Sequence, residues 1–246
     1  AVLLELGCLS VSGSVDAGSP TSGLVQSVVT VVLKQVTPGT TAVMTLLASL
    51  PALVSVCVGG LDQQSRQRRQ RAFELAVVHC ALSAFCFGWH VHEKAVLTAL
   101  VPLALLAPTS QELARLYFRL SLFGIYALFP LFTQVQELPI KVLCFMVHMS
   151  LAVSMVRAKC TGDQPVLTTL DKLSMASIFG LFVFSEVYHP LVMAPRGEMP
   201  FLPLMATSVV CGCGVLTCWW SSLLMLSSTA NNDGNQPESV KKAKSD

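Results

Sequence analysis

The stretch Phe85-Cys86-Phe87-Gly88-Trp89-His90-Val91-His92-Glu93-Lys94-Ala95-Val96-Leu97 joins two apolar runs through a segment that carries four ionisable side chains: His90, His92, Glu93 and Lys94. The run before it, Ala72 to Val91, has the length of about 20 residues that crosses a bilayer as a helix. A second apolar run follows from Ala95 to Pro108. The ionisable cluster therefore sits at a membrane boundary. Charged and imidazole groups at that depth cost free energy unless they meet water, one another or a polar ligand, so function is the first hypothesis for them.

The composition agrees with a membrane setting. Hydrophobic residues make up 53% of the chain and charged residues 12%, against about a quarter charged in soluble domains. A net charge of +2, without a basic stripe interleaved with aromatics, argues against a nucleic-acid partner. Windows of about 20 apolar residues fall near 41–60, 72–91, 95–108, 113–133, 138–156, 173–194 and 201–227, and predict an all-α polytopic membrane bundle of seven spans. The third window covers only about 21 Å at about 1.5 Å per residue, which also fits a re-entrant hairpin. Basic residues decide between the two. If every window crosses, Arg66, Arg68, Arg69, Arg71, Arg115, Arg157, Lys159, Lys172, Lys241, Lys242 and Lys244 share one side, and only Lys94, Lys141 and Arg196 lie opposite. That split obeys the positive-inside rule and puts the His90–Lys94 cluster on the non-cytosolic face.

The chain divides into residues 1–35, Ser/Gly/Val-rich, without a signal-peptide pattern and read as an atypical or non-family segment, a multi-span region over 36–227, and a polar tail over 228–246. The tail is expected to be disordered and cytosolic. Its end, Lys242-Ala243-Lys244-Ser245-Asp246, resembles a dilysine retrieval signal of endoplasmic-reticulum membrane proteins, although solvated lysines are common in tails. Cys57, Cys80, Cys86, Cys144, Cys211, Cys213 and Cys218 fall inside the apolar windows, where a thiol acts as a small hydrophobe, so they are expected to pack.

His90 and His92 diverge on a helix and share a side in an extended turn. His-x-His-Glu lacks the i, i+4 spacing of a zinc-protease helix and would need a further ligand from elsewhere to hold a metal. A polar rim is the simpler reading: Lys94 offers donors to a phosphate, and Glu93 accepts from sugar hydroxyls or orients an imidazole. The alternative is a Lys94 that snorkels to the headgroups and pairs with Glu93. Glu186 and His189, three residues apart near the same end of their window, are expected to share one helical face. Lys141 and His148 are nearly in line on another, with His148 read as a neutral packed imidazole. Gln134, Gln136, Glu137 and Arg196 lie in short loops on the same side. Trp219 and Trp220 read as an interfacial aromatic belt.

The Phe85–Leu97 stretch resembles the signature of the dolichyl-phosphate-glucose-dependent α-1,3-glucosyltransferases of endoplasmic-reticulum N-glycan assembly. Val36-Thr37-Pro38, Tyr126-Ala127-Leu128-Phe129-Pro130-Leu131-Phe132, Glu137-Leu138-Pro139-Ile140-Lys141 and the Pro200–Trp220 span resemble the same family, in order. Gly88-Trp89-His90 before Val91-His92-Glu93-Lys94 looks more like the member adding the second glucose than the one adding the first. The resemblance implies part of a GT-C transmembrane bundle in the endoplasmic-reticulum membrane, with its active site at the luminal face. It implies a dolichyl phosphate glucose donor, a dolichyl-diphosphate oligosaccharide acceptor, and no cofactor or obligatory metal. The family's catalytic Asp is expected in an upstream luminal loop; Asp16 lacks the motif, so the chain reads as a C-terminal half without a catalytic residue of its own. Within that half, His90, His92, Glu93, Lys94, Glu137, Lys141, Glu186 and Arg196 are expected to bind substrate. A transporter and a non-catalytic membrane fragment are the competing readings, the first weakened by the lack of an internal repeat.

Overall fold

The computed structural model describes residues 37–61, 66–89, 91–132, 135–160, 165–196, 199 and 201–231. The expectations for residues 1–35, the tail lysines, His90 and Gln134 lie outside them. Among the described residues seven α-helices answer the seven apolar windows: α1 (Pro38–Leu61), α2 (Arg66–Phe87), α3 (Leu97–Leu106), α4 (Gln111–Tyr126), α5 (Leu138–Lys159), α6 (Thr169–Phe182) and α7 (Leu202–Asn231). α6 continues without a break as a π-helix, Val183–Met193.

Local signals set the boundaries. Pro38 opens α1 where its missing N–H has no helical partner to lose. The Ser110 hydroxyl caps α4 by accepting from Leu113 N–H at 3.3 Å. α5 ends on Arg157 and Lys159, cations that complement the carbonyl end of a helix dipole. α6 starts with a capping box: Thr168 accepts from Asp171 N–H, and the Asp171 carboxylate takes the Thr168 N–H in return.

α4 is the centre of the bundle. It packs against α3, α5, α6 and α7, and its residues from Leu116 to Gly124 are all buried. α1 pairs with α2, and both reach α7, where Ala52, Leu75, Ala76 and Leu226 form a small second core. α4 and α7 touch closely because position 214 is glycine: a Cβ there would overlap the Phe123 ring.

Four segments, Pro38–Cys57, Leu138–Lys159, Thr169–Met193 and Leu202–Ser228, are long and apolar enough to cross a membrane by length and composition. Their outward faces carry Leu46, Leu50, Leu143, Leu151, Phe179 and Leu224, all exposed and apolar as lipid contact requires. The three remaining helices differ. α2 opens on Arg66, Arg68, Arg69 and Arg71, and α3 and α4 have 10 and 16 residues. α4 is apolar because other helices enclose it, and a hydropathy window does not separate that cause from lipid exposure.

The enclosed helix carries a charge. Arg119 is 9% exposed, and its Nε lies 3.5 Å from Oδ1 of the fully buried Asp171, with Arg115 Nε at 4.0 Å from Oδ2. Thr168 donates to Oδ2 from its N–H at 2.8 Å and its hydroxyl at 2.7 Å. Arg115 also donates to the Pro165 carbonyl, which draws the segment before α6 onto α4. Of these groups only Arg115 enters the charge count of the loops; Arg119 and Asp171 tie α4 to α6 without any warning from hydropathy.

Removing one partner of a buried ion pair costs about 3–5 kcal/mol, because the other charge stays behind uncompensated. Asp171→Ala is therefore expected to lower the unfolding temperature of the chain in detergent more than Asp171→Asn, whose amide oxygen still accepts from Thr168. Equal stability of Asp171→Ala and the unaltered chain would contradict this role.

Candidate functional site

The polar end of the bundle is organised by the way α2 stops. Gly88 N–H donates to the Ala84 carbonyl at 2.9 Å, and a Cβ at 88 would run into that same carbonyl and meet Val91 Cγ2 at 2.7 Å. Only glycine lets the chain turn there. His92 is extended, with φ −75° and ψ 151°, and its carbonyl accepts from Ala95 N–H at 2.9 Å to start the short 3-10 helix Glu93–Val96. His92, Glu93 and Lys94 are exposed, and among the described residues none makes a side-chain hydrogen bond or ion pair. Glu93 and Lys94 do not pair. Their full hydrogen-bonding capacity, three ammonium donors and two carboxylate oxygens, faces outward.

The start of α3 lies beside the end of α4, since a Cβ on Gly124 would meet Val96 Cγ2 at 2.9 Å. Two residues on, Tyr126 stacks on Phe129 at 4.6 Å, and Phe145 of α5 meets Phe129 edge-on at 5.4 Å. Lys141 lies on this aromatic platform, its Nζ 5.2 Å from the Phe129 centroid and 2.9 Å from Glu186 Oε1. The pair joins α5 to the π-helix. The helix widens there for a local reason: Pro190 has no N–H to give the carbonyl four residues back, which is that of Glu186, and its ring would clash with it. π-Turns of this kind recur at functional sites.

The widening separates Glu186 from His189. The two were expected to share a face, but His189 is buried and its Nε2–H donates to the Met199 carbonyl at 3.1 Å, while Glu186 turns to Lys141. Met199 holds φ 45°, a left-handed conformation for a non-glycine residue, in the connection that leads to α7. Glu137 is half-buried at the start of α5, and Arg196 is exposed in the 3-10 turn Ala194–Arg196. The structure thus bonds Lys141 to Glu186 and puts His92, Glu93 and Lys94 at the end of the bundle where α3 begins. Among the described residues no hydrogen bond or ion pair joins that trio, Glu137 or Arg196 to the Lys141–Glu186 pair. No three His, Cys, Asp or Glu side chains gather for a metal ion among the described residues.

Deeper in the bundle the polar groups are packed. His148 lies against Tyr117, with Nε2 to hydroxyl at 3.4 Å, as expected for a satisfied imidazole. Trp219 turns into the bundle: its ring stacks on His79 at 5.6 Å, Phe87 meets it edge-on at 5.4 Å, and its Nε1–H donates to Ser83 at 2.9 Å. Trp220 is exposed. His79 in turn joins three helices through the Ser222 hydroxyl at 2.7 Å and the Ala48 carbonyl at 3.0 Å. This network holds α1, α2 and α7 together.

A helical bundle with four segments long and apolar enough to cross a membrane, and with exposed ionisable groups where α3 begins, defines a polytopic membrane protein. Comparison with known proteins makes this specific. The model of the ALG6, ALG8 glycosyltransferase family matches residues 4–222, a range that opens upstream of the motifs at Val36. The chain belongs to this family. It is 33% identical over 216 residues to a protein of Bos taurus named dolichyl pyrophosphate Glc1Man9GlcNAc2 alpha-1,3-glucosyltransferase, covering 88% of this chain and 39% of that protein. A Mus musculus protein of the same name is 34% identical, over 83% of this chain and 38% of its own length. A Drosophila melanogaster protein, named as the probable enzyme, is 35% identical over 82% and 38%. The chain therefore spans about two fifths of the curated relatives it matches. No solved structure matches it.

Because the turn after α2 admits no Cβ, Gly88→Ala is expected to cost about 1–3 kcal/mol through forced displacement. Gly180→Ala, where a Cβ meets nothing within 4 Å, should instead gain up to about 1 kcal/mol from helix propensity. Unfolding of both variants in detergent checks the pair; equal stabilities would show that the turn is not constrained as described.

Proposed function

We propose that this chain forms the donor-binding wall of a dolichyl-phosphate-glucose-dependent α-1,3-glucosyltransferase of the endoplasmic-reticulum membrane, the member that adds the second glucose to the lipid-linked oligosaccharide. The observation that carries this reading is the coincidence of the family match over residues 4–222 with an end of the bundle where His92, Glu93 and Lys94 hold no partner among the described residues. The relatives' shared name supports the finer assignment, since an acceptor written with one glucose is one step past the first transfer.

In this reading the acceptor hydroxyl attacks the glucosyl carbon in line, a carboxylate takes its proton, and dolichyl phosphate leaves as an anion. The base is supplied from the part of the enzyme that this chain does not carry. What the chain contributes is cationic and hydrogen-bonding groups around the leaving phosphate and the sugar: His90, His92 and Lys94 toward the phosphate, Glu93 and Glu137 toward hydroxyls, and Lys141, Glu186 and Arg196 along the rim. Preorganised donors of this kind act where charge develops and need no reorganisation during the reaction. In this reading the rim lies at the luminal face and the tail in the cytosol, the sides that the distribution of loop arginines and lysines favours. The partners are dolichyl phosphate glucose, the dolichyl-diphosphate oligosaccharide and membrane lipid.

His92→Ala and Lys94→Met, made at the matching positions of a full-length family member, are expected to lower glucose transfer by about 10²–10³-fold, as for loss of a transition-state donor. Protein levels should stay unchanged, because neither side chain supports packing. Undiminished transfer in both variants would contradict the reading.

A further inference from the structure

Two ionic sites, one on α6 and one on its π-helical continuation, tie this segment to the bundle, and they are built differently. Asp171 is fully buried, its Oδ2 held by the Thr168 N–H and hydroxyl and its carboxylate faced by two arginines at 3.5 and 4.0 Å. The other pair has an open edge. Lys141 is 7% exposed at its side chain and has a single carboxylate oxygen, 2.9 Å away, together with the face of Phe129. Glu186 is 23% exposed, and its backbone carbonyl has lost the α-helical donor that Pro190 cannot supply. An ammonium this buried requires an anion beside it, but any oxyanion of similar reach meets that requirement. The carboxylate, at the open edge of the pair and more exposed than the ammonium, is the member that can leave.

We propose that Glu186 is a resident counter-ion of Lys141 that a phosphate group displaces on binding, which makes Lys141 a phosphate-binding residue only in the occupied state and Glu186 a positioning residue that acts through it. The inference rests on the transferase reading and deepens it, since the exchange has a direction. A phosphodiester carries about one negative charge, whereas a phosphomonoester carries about 1.5 to 2 near neutral pH. Competition with Glu186 therefore weighs more heavily on a diester donor than on the monoester that forms as the glycosidic bond breaks. The carboxylate holds down ground-state binding and yields to the charge developing in the transition state, which is where binding raises rate.

The test measures binding alone, without glucose transfer, so its failure is separate from failure of the transferase reading. The full chain in nanodiscs of neutral lipid is titrated with dolichyl phosphate, with unphosphorylated dolichol, and with inorganic phosphate. The proposal predicts that dolichyl phosphate binds more tightly than dolichol, and that Glu186→Gln, which keeps a hydrogen bond to the ammonium but not the charge, binds it about tenfold more tightly, the equivalent of about 1.4 kcal/mol. Lys141→Gln should bind at least tenfold more weakly, and the double variant should match Lys141→Gln, because Glu186 acts only through the lysine. A response to inorganic phosphate in the same variant order would mark the phosphate group itself as the ligand; a response to the lipid alone would mark a requirement for the polyprenyl chain; both support the exchange. Binding of dolichyl phosphate by Glu186→Gln that equals or falls below that of the unaltered chain would overturn it, as would a chain that does not distinguish dolichyl phosphate from dolichol. Unfolding curves of each variant verify that the protein measured is folded.

Discussion

Asp171 has no exposed side-chain surface, and a carboxylate taken that far from water is tolerated only where cations and hydrogen bonds reach it. This requirement fixes how α4 and α6 meet. Arg119 has to enter the bundle from the middle of α4, Arg115 has to follow one turn away, and the segment before α6 has to fold down so that Thr168 and Pro165 close the cluster. α4 is consequently held at the centre of the bundle, too short by itself to span a bilayer and covered by the helices around it. The opposite end of α4, with Tyr126 and the Phe129 turn, then becomes the floor on which Lys141 rests.

The two ends of the bundle use charge in opposite ways. At the arginine end Asp171 and Arg119 are buried, and the arrangement serves the fold. At the other end the groups are left open: His92, Glu93 and Lys94 have no side-chain partner among the described residues, and the Lys141–Glu186 pair has one exposed edge. Backbone chemistry produces this openness. Gly88 allows a turn that no side chain would fit, which brings the chain out of α2 to an extended His92, with Glu93 and Lys94 opening the 3-10 helix that follows. Pro190 removes the donor that would keep Glu186 in a regular α-helix. Uncommitted polar groups at the edge of a membrane bundle are costly unless a ligand completes them. The lipid-linked phosphate and sugars of the proposed reaction are ligands of the right chemistry.

Much of this architecture was legible in the sequence. Every apolar window has its helix, Gly88 to Lys94 do form the break between α2 and α3, and the motifs from Val36 to Trp220 point to the family that the comparisons show. What was not legible depends on context. Hydropathy sees an apolar α4 but not whether protein or lipid surrounds it. The Thr168-x-x-Asp171 spacing is a recognisable capping box, yet nothing local tells that its carboxylate will be buried against arginines more than fifty residues earlier in the chain. Trp219 looks like a belt residue until His79 and Ser83 are brought beside it from α2. The spacing of Glu186 and His189 predicts one face only for an α-helix, and the signal that it is not one, Pro190, lies immediately after His189.

The central claim is that the open end of this bundle serves glucosyl transfer from a dolichyl phosphate donor but needs the rest of the enzyme for the base. Transfer of labelled glucose from dolichyl phosphate glucose to mono-glucosylated lipid-linked oligosaccharide tests it directly, in microsomes that lack the endogenous enzyme and contain either a full-length family member joined to this chain's sequence in place of its own matching region, or this chain alone. The account predicts transfer by the full-length protein and none by the chain alone. Absence of transfer from both, with both inserted in the membrane, would contradict the assignment of the site, and transfer by the chain alone would contradict the placement of the base outside it.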